Sequence, residues 1–210
     1  MISFLLHLPT WPLIRIIGIL SFLFLTVGIS LGISYSFSFW TRQTKRRVYQ
    51  IHSFSTITGA ALGMLHGLIT IIDTYAPYSW RDLLIPFSAS YSPTLSGLGT
   101  LSSYGMLVVI LTTDLRNKIK RGLWLLFHML SYPIYIMALI HSFFMGTDSS
   151  LPLVRVMYVL SIMVVLGLTA ARFASRQTAK QDSIPAKPIK LYAVPTPSAS
   201  PQLPEHKREA

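Results

Sequence analysis

Five long apolar stretches constrain this sequence more than any other feature. A hydrocarbon core about 30 Å thick requires about 20 apolar residues per spanning helix, and five stretches reach or approach that length. They run from about Trp11 to Trp40, Ile51 to Ile72, Ser96 to Thr113, Leu123 to Met145 and Leu151 to Phe173. We therefore predict an all-α fold, a polytopic transmembrane bundle of about five spanning helices.

The connection from Thr74 to Leu95 is long and contains three prolines and several aromatic residues, Trp80 among them. Aromatic side chains favour the boundary between lipid and water. We expect this segment to lie along the outer face of the membrane as an amphipathic or re-entrant interfacial loop.

The composition supports the membrane assignment and argues against a soluble enzyme. Charged residues make up 12% of the chain and hydrophobic residues 51%, whereas a soluble domain carries about 25% charged residues. Mean hydropathy is +0.52. The net charge of +11 does not imply nucleic acid, because cytoplasmic loops of membrane proteins are enriched in Lys and Arg. We predict membrane lipid as a partner and no nucleic acid.

The distribution of Lys and Arg predicts the orientation of the chain. Only Arg15, Arg81 and Arg155 fall on one side of the predicted spans, and the other fifteen fall on the opposite side. By the positive-inside rule the N-terminus is outside and the C-terminus cytoplasmic, in a multi-pass cell-membrane protein. We expect a short external N-terminus (1–10), a membrane bundle (11–173) that retains its first helix rather than losing it as a secretory signal, and a disordered basic cytoplasmic tail (174–210).

The available metal ligands are few. The chain has no cysteine and six histidines, which excludes disulfides, thiolate metal sites and covalent heme attachment. We assign no role to His7 or His206. The other four lie in the second and fourth predicted helices, which run in the same direction, and they are His52, His66, His128 and His141.

The spacing of these histidines predicts two facing pairs. His52 and His66 are 14 residues apart, about 21 Å along a helix and only about 40° around it. His128 and His141 are 13 apart, which in an ideal helix gives about 140°, but Pro133 between them kinks or rewinds the helix. We predict one pair at the cytoplasmic level and one about 20 Å further out. Two neutral imidazoles on opposite helices can fill both axial positions of a heme iron.

Alternatives remain for these residues. Histidines inside membranes also serve as interhelical hydrogen-bonding groups or line proton paths. Zinc is less favoured, because no carboxylate lies in the same spans to complete a four-ligand shell.

Neighbouring residues add weaker expectations. The run Gly59, Gly63 and Gly67 either lets porphyrin edges approach the backbone or packs helices together. Ligand histidines donate their second ring N–H to an acceptor, and the candidates are Thr70 for His66 and Ser131 or Tyr132 for His128. Basic residues near the helix ends could neutralise heme propionates, and they are Arg47, Arg81, Arg121 and Arg155.

Two segments resemble a known family. RGLWLLFHMLSYPIYIMALIHSFFMGTDS, from Arg121 to Ser149, and HGLITIIDTYAPYSWRDLLIPF, from His66, resemble the ferric reductase-like transmembrane domain family. That family includes ferric reductases, the membrane part of NADPH oxidases and the heme-binding membrane subunit of the periplasmic methionine sulfoxide reductase system. The resemblance covers about Arg46 to Arg172, and its most specific element is the histidine spacing of 14 and 13.

The resemblance implies two bis-histidine hemes b. His52 with His128 would hold the cytoplasmic-side heme, and His66 with His141 the outer one. Complete enzymes of the family carry a flavin- and NAD(P)H-binding module after the last helix, and the tail of this chain has no G-x-G-x-x-G fingerprint for one. Five predicted helices rather than six also departs from larger relatives.

The sequence thus predicts a membrane cytochrome b that carries electrons across the bilayer to an external acceptor. The donor would be a cytoplasmic flavoprotein reductase or a quinol, and the acceptor a metal ion or redox protein. One alternative is an electron-donor subunit for a periplasmic methionine sulfoxide reductase. Another, of a different class, is a small transporter or structural membrane protein without heme. No catalytic acid, base or nucleophile is identified.

Overall fold

The computed structural model describes residues 9–75 and 77–182, with side chains to residue 175. About 81% of these residues are helical and none of them lies in a strand. The helices are α1 (Thr10–Ser34), α2 (Arg42–Ile72), α3 (Trp80–Leu84), α4 (Pro93–Asp114), α5 (Arg121–Met129), α6 (Ser131–Met145) and α7 (Pro152–Asp182), with a 3₁₀ turn at Thr147–Ser150.

The prediction of an all-α bundle of about five spans is confirmed. Five segments of the described chain are long and apolar enough to cross a membrane: α1, α2, α4, α5 together with α6, and α7 up to Ser175. Many of their large apolar side chains point away from the protein, among them Leu153 and Met163, which are 81% and 64% exposed. Surfaces of this kind belong in hydrocarbon rather than in water, so the chain is a multi-pass membrane protein.

The core forms where α1 packs against α6 and α7. Phe22 of α1 is only 2% exposed, and its ring lies 5.5 Å from that of Tyr135 and 5.0 Å from that of Tyr158. The hydroxyl groups of Thr26 and Tyr135 are hydrogen-bonded at 3.0 Å, which satisfies the polar end of a buried aromatic residue. α1 also packs along most of α2, so it is the central helix of the bundle.

The first span ends earlier than predicted. α1 ends at Ser34, not near Trp40, because the Ser36 hydroxyl and the Trp40 indole N–H donate to the carbonyls of Ile33 and Ser34 at its C-terminus. These bonds satisfy carbonyls that a helix end leaves without partners.

The last helix is longer than predicted. α7 continues to Asp182, so residues 174–182 of the predicted disordered tail are helical. The chain has no Gly or Pro from 168 to 182 and is rich there in Ala, Arg and Gln, which favour helix. The rest of the predicted tail, 183–210, and most of the predicted N-terminal segment, 1–8, lie outside the described residues.

The fourth span is interrupted as Pro133 predicted. α5 ends at Met129, and the amide of Leu130 bonds to the Phe127 carbonyl at 3.1 Å, one residue short of the helical partner. Pro133 cannot donate to Met129, so the regular hydrogen-bond ladder is broken between the two helices. This break lies between His128 and His141.

The loop between α2 and α4 is held by specific bonds. Ser79 caps α3 in a capping box with Asp82, and these bonds hold the pKa of the Asp82 carboxyl below its usual value. The Tyr78 hydroxyl lies 3.0 Å from that of Ser96, and burial raises the Tyr78 pKa. Phe87 has a φ of 66° and its ring packs against Gly97, where any Cβ would lie 2.3 Å from it.

The two ends of the bundle differ in charge. The helices alternate in direction, so the cations at 42–47 and 116–121 meet at one end, which we call the basic end, and Arg116 there bonds the Tyr49 hydroxyl at 3.3 Å. The other end, which we call the loop end, has the α2–α4 loop, Arg15, Asp73 and Asp148. This segregation is the one from which the sequence predicted the orientation.

Candidate functional site: two facing histidine pairs

The structure brings the four membrane histidines together as two pairs. The rings of His52 and His128 have centroids 6.3 Å apart and an interplanar angle of 67°. Those of His66 and His141 lie 6.1 Å apart at 81°. We call the first pair, on α2 and α5, the basic-end pair, and the second, on α2 and α6, the loop-end pair. Their separation along α2 is 14 residues, about 21 Å.

Three of the four rings are fixed by backbone carbonyls of a neighbouring helix. Nδ1 of His52 lies 2.8 Å from the Gly28 carbonyl oxygen, Nδ1 of His66 lies 2.9 Å from that of Ile14, and Nδ1 of His141 lies 2.8 Å from that of Leu95. Since a carbonyl only accepts, Nδ1 must carry the proton in each case. Nε2 is then unprotonated and available as a metal ligand.

These acceptors differ from the ones we expected. The Thr70 hydroxyl donates to the Gly67 carbonyl at 2.6 Å rather than accepting from His66. The hydroxyl of Tyr132 accepts from Arg172 at 3.4 Å, and neither it nor Ser131 bonds His128. Backbone carbonyls replace them because the rings project onto the facing helix, whereas Thr70, Ser131 and Tyr132 belong to the same helical span as the ring each was assigned to.

A glycine makes room for each of these three rings. A Cβ on Gly32 would lie 3.1 Å from the His52 ring, one on Gly18 3.0 Å from His66, and one on Gly99 2.7 Å from His141. Gly18 and Gly32 are 14 residues apart on α1, as His66 and His52 are on the antiparallel α2. Gly18, Gly32 and Gly99 are not among the predicted site residues, although the equal spacing of Gly18 and Gly32 is a sequence signal for those two.

His128 is the exception. Its Nδ1 is buried without a hydrogen-bond partner among the described residues. The Trp124 ring, one turn earlier on α5, stacks on the imidazole at 5.2 Å with an interplanar angle of 25°. The His128 ring is therefore held by packing rather than by a polar bond.

A cavity of about 370 Å³ adjoins the loop-end pair and extends to the loop end of the bundle. Ligand pockets have volumes of about 300 to 1,000 Å³. His66 and His141 line it, with apolar side chains and several glycines around them. Gly59, Gly63 and Gly67 are part of this lining, and Gly59 also packs on α1, where its Cβ would meet Leu25 at 2.9 Å.

Arg15 is the one cation among the described residues that line the cavity. Its Nε donates to Asp148 at 2.7 Å, and its terminal nitrogen completes a two-point ion pair with the same carboxylate. One edge of the guanidinium is left for another anion. Arg155, one of the arginines expected to face heme propionates, donates to the Ser149 carbonyl at 2.9 Å.

The separation of the two imidazoles fits a heme at each pair. Imidazole nitrogens bind a transition metal at about 2 Å on either side, which places the two ring centroids roughly 6 Å apart. Both pairs have this separation. No cluster of three or more His or carboxylate side chains that could hold a bare metal ion occurs among the described residues. A pair of opposed imidazoles matches a metal whose remaining ligands come from a macrocycle.

Comparisons with protein-family models, curated proteins and solved structures found no match to this chain.

Proposed function

We propose that this protein is a membrane cytochrome b that carries single electrons through two bis-histidine hemes, one at each histidine pair. The observation that carries the proposal is the geometry of the pairs: two facing imidazoles at 6.3 and 6.1 Å, at two depths on the same helix. The histidines of each pair would hold one heme, which would supply one-electron transfer.

The chain's own residues orient and enclose the site. The carbonyls of Ile14, Gly28 and Leu95 fix the tautomer and direction of three rings. The aromatic core around Phe22 holds α1, α6 and α7 in place. Arg15 supports the binding of a carboxylate in the cavity, a role suited to a heme propionate.

The partners follow from the resemblance and from the two ends of the bundle. A flavoprotein reductase or a quinol would deliver electrons at the basic end, which faces the cytoplasm in this proposal. A metal ion or redox protein would receive them at the loop end. This is the arrangement that the resemblance to the ferric reductase-like family implies.

Purification in detergent followed by difference spectroscopy tests the proposal. We expect a Soret band and sharp α and β bands on dithionite reduction, with two hemes per chain. Ala at any one of His52, His66, His128 and His141 should remove one heme and retain the other. His206→Ala is the matched control and should keep both. A folded but colourless protein, or full heme content in all four variants, would contradict the proposal and favour packing or proton-path histidines.

A further inference from the structure

We propose that the two pairs are unequal, and that the basic-end pair holds its heme at the higher midpoint potential. The inference rests on the proposed function. His128 is the residue that makes the difference, because it alone among the four histidines has a ring N–H without an acceptor among the described residues.

The first contribution is donor strength. An acceptor on Nδ1–H draws the proton away from the ring and raises the basicity of Nε2. A more basic ligand stabilises the ferric state and lowers the midpoint potential. At the loop-end pair both His66 and His141 have carbonyl acceptors, whereas at the basic-end pair only His52 has one.

The residues of α4 differ between the two positions that correspond by sequence interval to His141 and His128. Leu95, whose carbonyl serves His141, has Val108 as its counterpart 13 residues further along α4, the same interval that separates His141 from His128. The Val108 carbonyl accepts from the Thr112 hydroxyl at 2.7 Å. Thr112 is in turn 13 residues beyond Gly99, so the glycine that makes room for His141 has a larger counterpart here.

The second contribution is charge. Two cations lie close in sequence to the basic-end pair: Arg121 is seven residues from His128, and Arg47 is five residues from His52. Two carboxylates lie close in sequence to the loop-end pair: Asp73 is seven residues from His66, and Asp148 is seven residues from His141. Reduction adds one negative charge, which cations stabilise and carboxylates oppose, and a low dielectric strengthens both effects. At the loop end Arg15 is paired with Asp148, and Arg81 and Arg155 lie on the same side, so the difference comes chiefly from the excess of cations at the basic end.

The missing acceptor at His128 and the cations of the basic end both raise the midpoint potential of the basic-end pair. We expect an electron shared between the two levels to favour the basic-end pair at least tenfold, which corresponds to about 59 mV for a one-electron couple. The basic-end pair would then store the electron, and its transfer to the loop end would need a membrane potential or an acceptor to draw it outward.

Redox titration of single-heme variants tests which pair holds its heme at the higher midpoint potential. His66→Ala and His141→Ala should each leave one heme that titrates at a higher potential than the heme left by His52→Ala or His128→Ala. Equal potentials or the reverse order would overturn the inference while the proposed function stands. Absence of heme from the wild-type protein would overturn the proposed function itself.

A second pair of variants isolates the hydrogen bond. Trp124→Gln places an amide oxygen one turn from His128, where it can accept the free N–H, and Trp124→Leu removes the indole without supplying an acceptor. In the His66→Ala background we expect the Gln variant to titrate at a lower potential than the Leu variant. The same substitutions in the His52→Ala background should leave the loop-end potential unchanged. Identical potentials for the Gln and Leu variants would remove His128 as the cause.

Discussion

Two groups of helices surround the histidines, and they differ in how regularly they do so. α1 packs on α2, which carries His52 and His66, whereas α4 packs on α5 and α6, which carry His128 and His141. On α1, Gly18 and Gly32 repeat at the interval of the histidines they contact, and both histidines reach a carbonyl. On α4 only Gly99 contacts a histidine, and only His141 reaches a carbonyl.

The difference has its origin in the helix break. An interval of 14 residues is close to four full turns, so two uninterrupted antiparallel helices present the same surroundings at both ends of the interval. The fourth span is broken at Leu130 and its interval is 13. The surroundings of His141 are therefore not repeated at His128. Two unbroken helices therefore give His52 and His66 similar surroundings, whereas the break between α5 and α6 gives His128 and His141 different ones.

The largest expected effect comes from the residue that joins the two groups of helices. Phe22→Ala removes the ring that packs on Tyr135 and Tyr158, and truncation of a buried Phe costs about 3 to 5 kcal/mol. We expect unfolding in detergent at markedly lower denaturant and loss of heme from both pairs. Phe144→Ala, at a position 67% exposed, is the control, and an equal loss there would contradict the central position of α1.

Substitution of the glycines that contact the histidines should have a smaller effect on heme content, and the effect should differ between α1 and α4. A Cβ on Gly99 would lie 2.7 Å from the His141 ring, whereas one on Gly32 would lie 3.1 Å from His52. Overpacking costs about 1 to 3 kcal/mol, so Gly99→Ala should reduce loop-end heme content strongly and Gly32→Ala should reduce basic-end content weakly. Gly122→Ala, with nothing within 4 Å, should leave both contents unchanged. If Gly122→Ala reduced heme as much as Gly99→Ala, the steric explanation would fail.

Two substitutions distinguish a role of Arg15 in heme retention from its contribution to stability through the ion pair with Asp148. Arg15→Gln leaves Asp148, which is 14% exposed, without its cation, at a cost of roughly 1 to 3 kcal/mol. We expect lower thermal stability and faster loss of loop-end heme to an apoprotein acceptor. Adding Asp148→Asn should restore stability but not heme retention. Recovery of both would mean that Arg15 serves only the fold.

The smallest expected effect concerns the α2–α4 loop. Asp82 has a lowered pKa because of its bonds to Ser79, so its stabilising contribution is present above its ordinary pKa and is lost as pH falls through the lowered value. Ser79→Ala should remove this dependence and increase proteolysis of the loop at neutral pH, with little change at either histidine pair. Unchanged proteolysis would show that α3 does not depend on its cap.

The sequence predicted more of the fold than of the surroundings of the site. Apolar length alone located the five spans, and Pro133 located the break in the fourth. The predicted end of the first span was wrong, because Trp40 is apolar yet folds back on Ser34. The last span ends close to its predicted position, but its helix continues through residues 174–182, which are polar yet favour helix. The spacing of His52, His66, His128 and His141 placed them in facing pairs, but their expected hydroxyl partners were wrong.

The sequence by itself determined what depends on one helix at a time: the spans, the charge at each end, and the spacing of the histidines along each span. Each follows from a fixed rise and angle per residue. Only the tertiary structure decided which carbonyl fixes which ring, which glycines make room for the rings, and that His128 has no acceptor among the described residues. Those contacts depend on the register between helices, which side-chain packing sets and no single helix encodes.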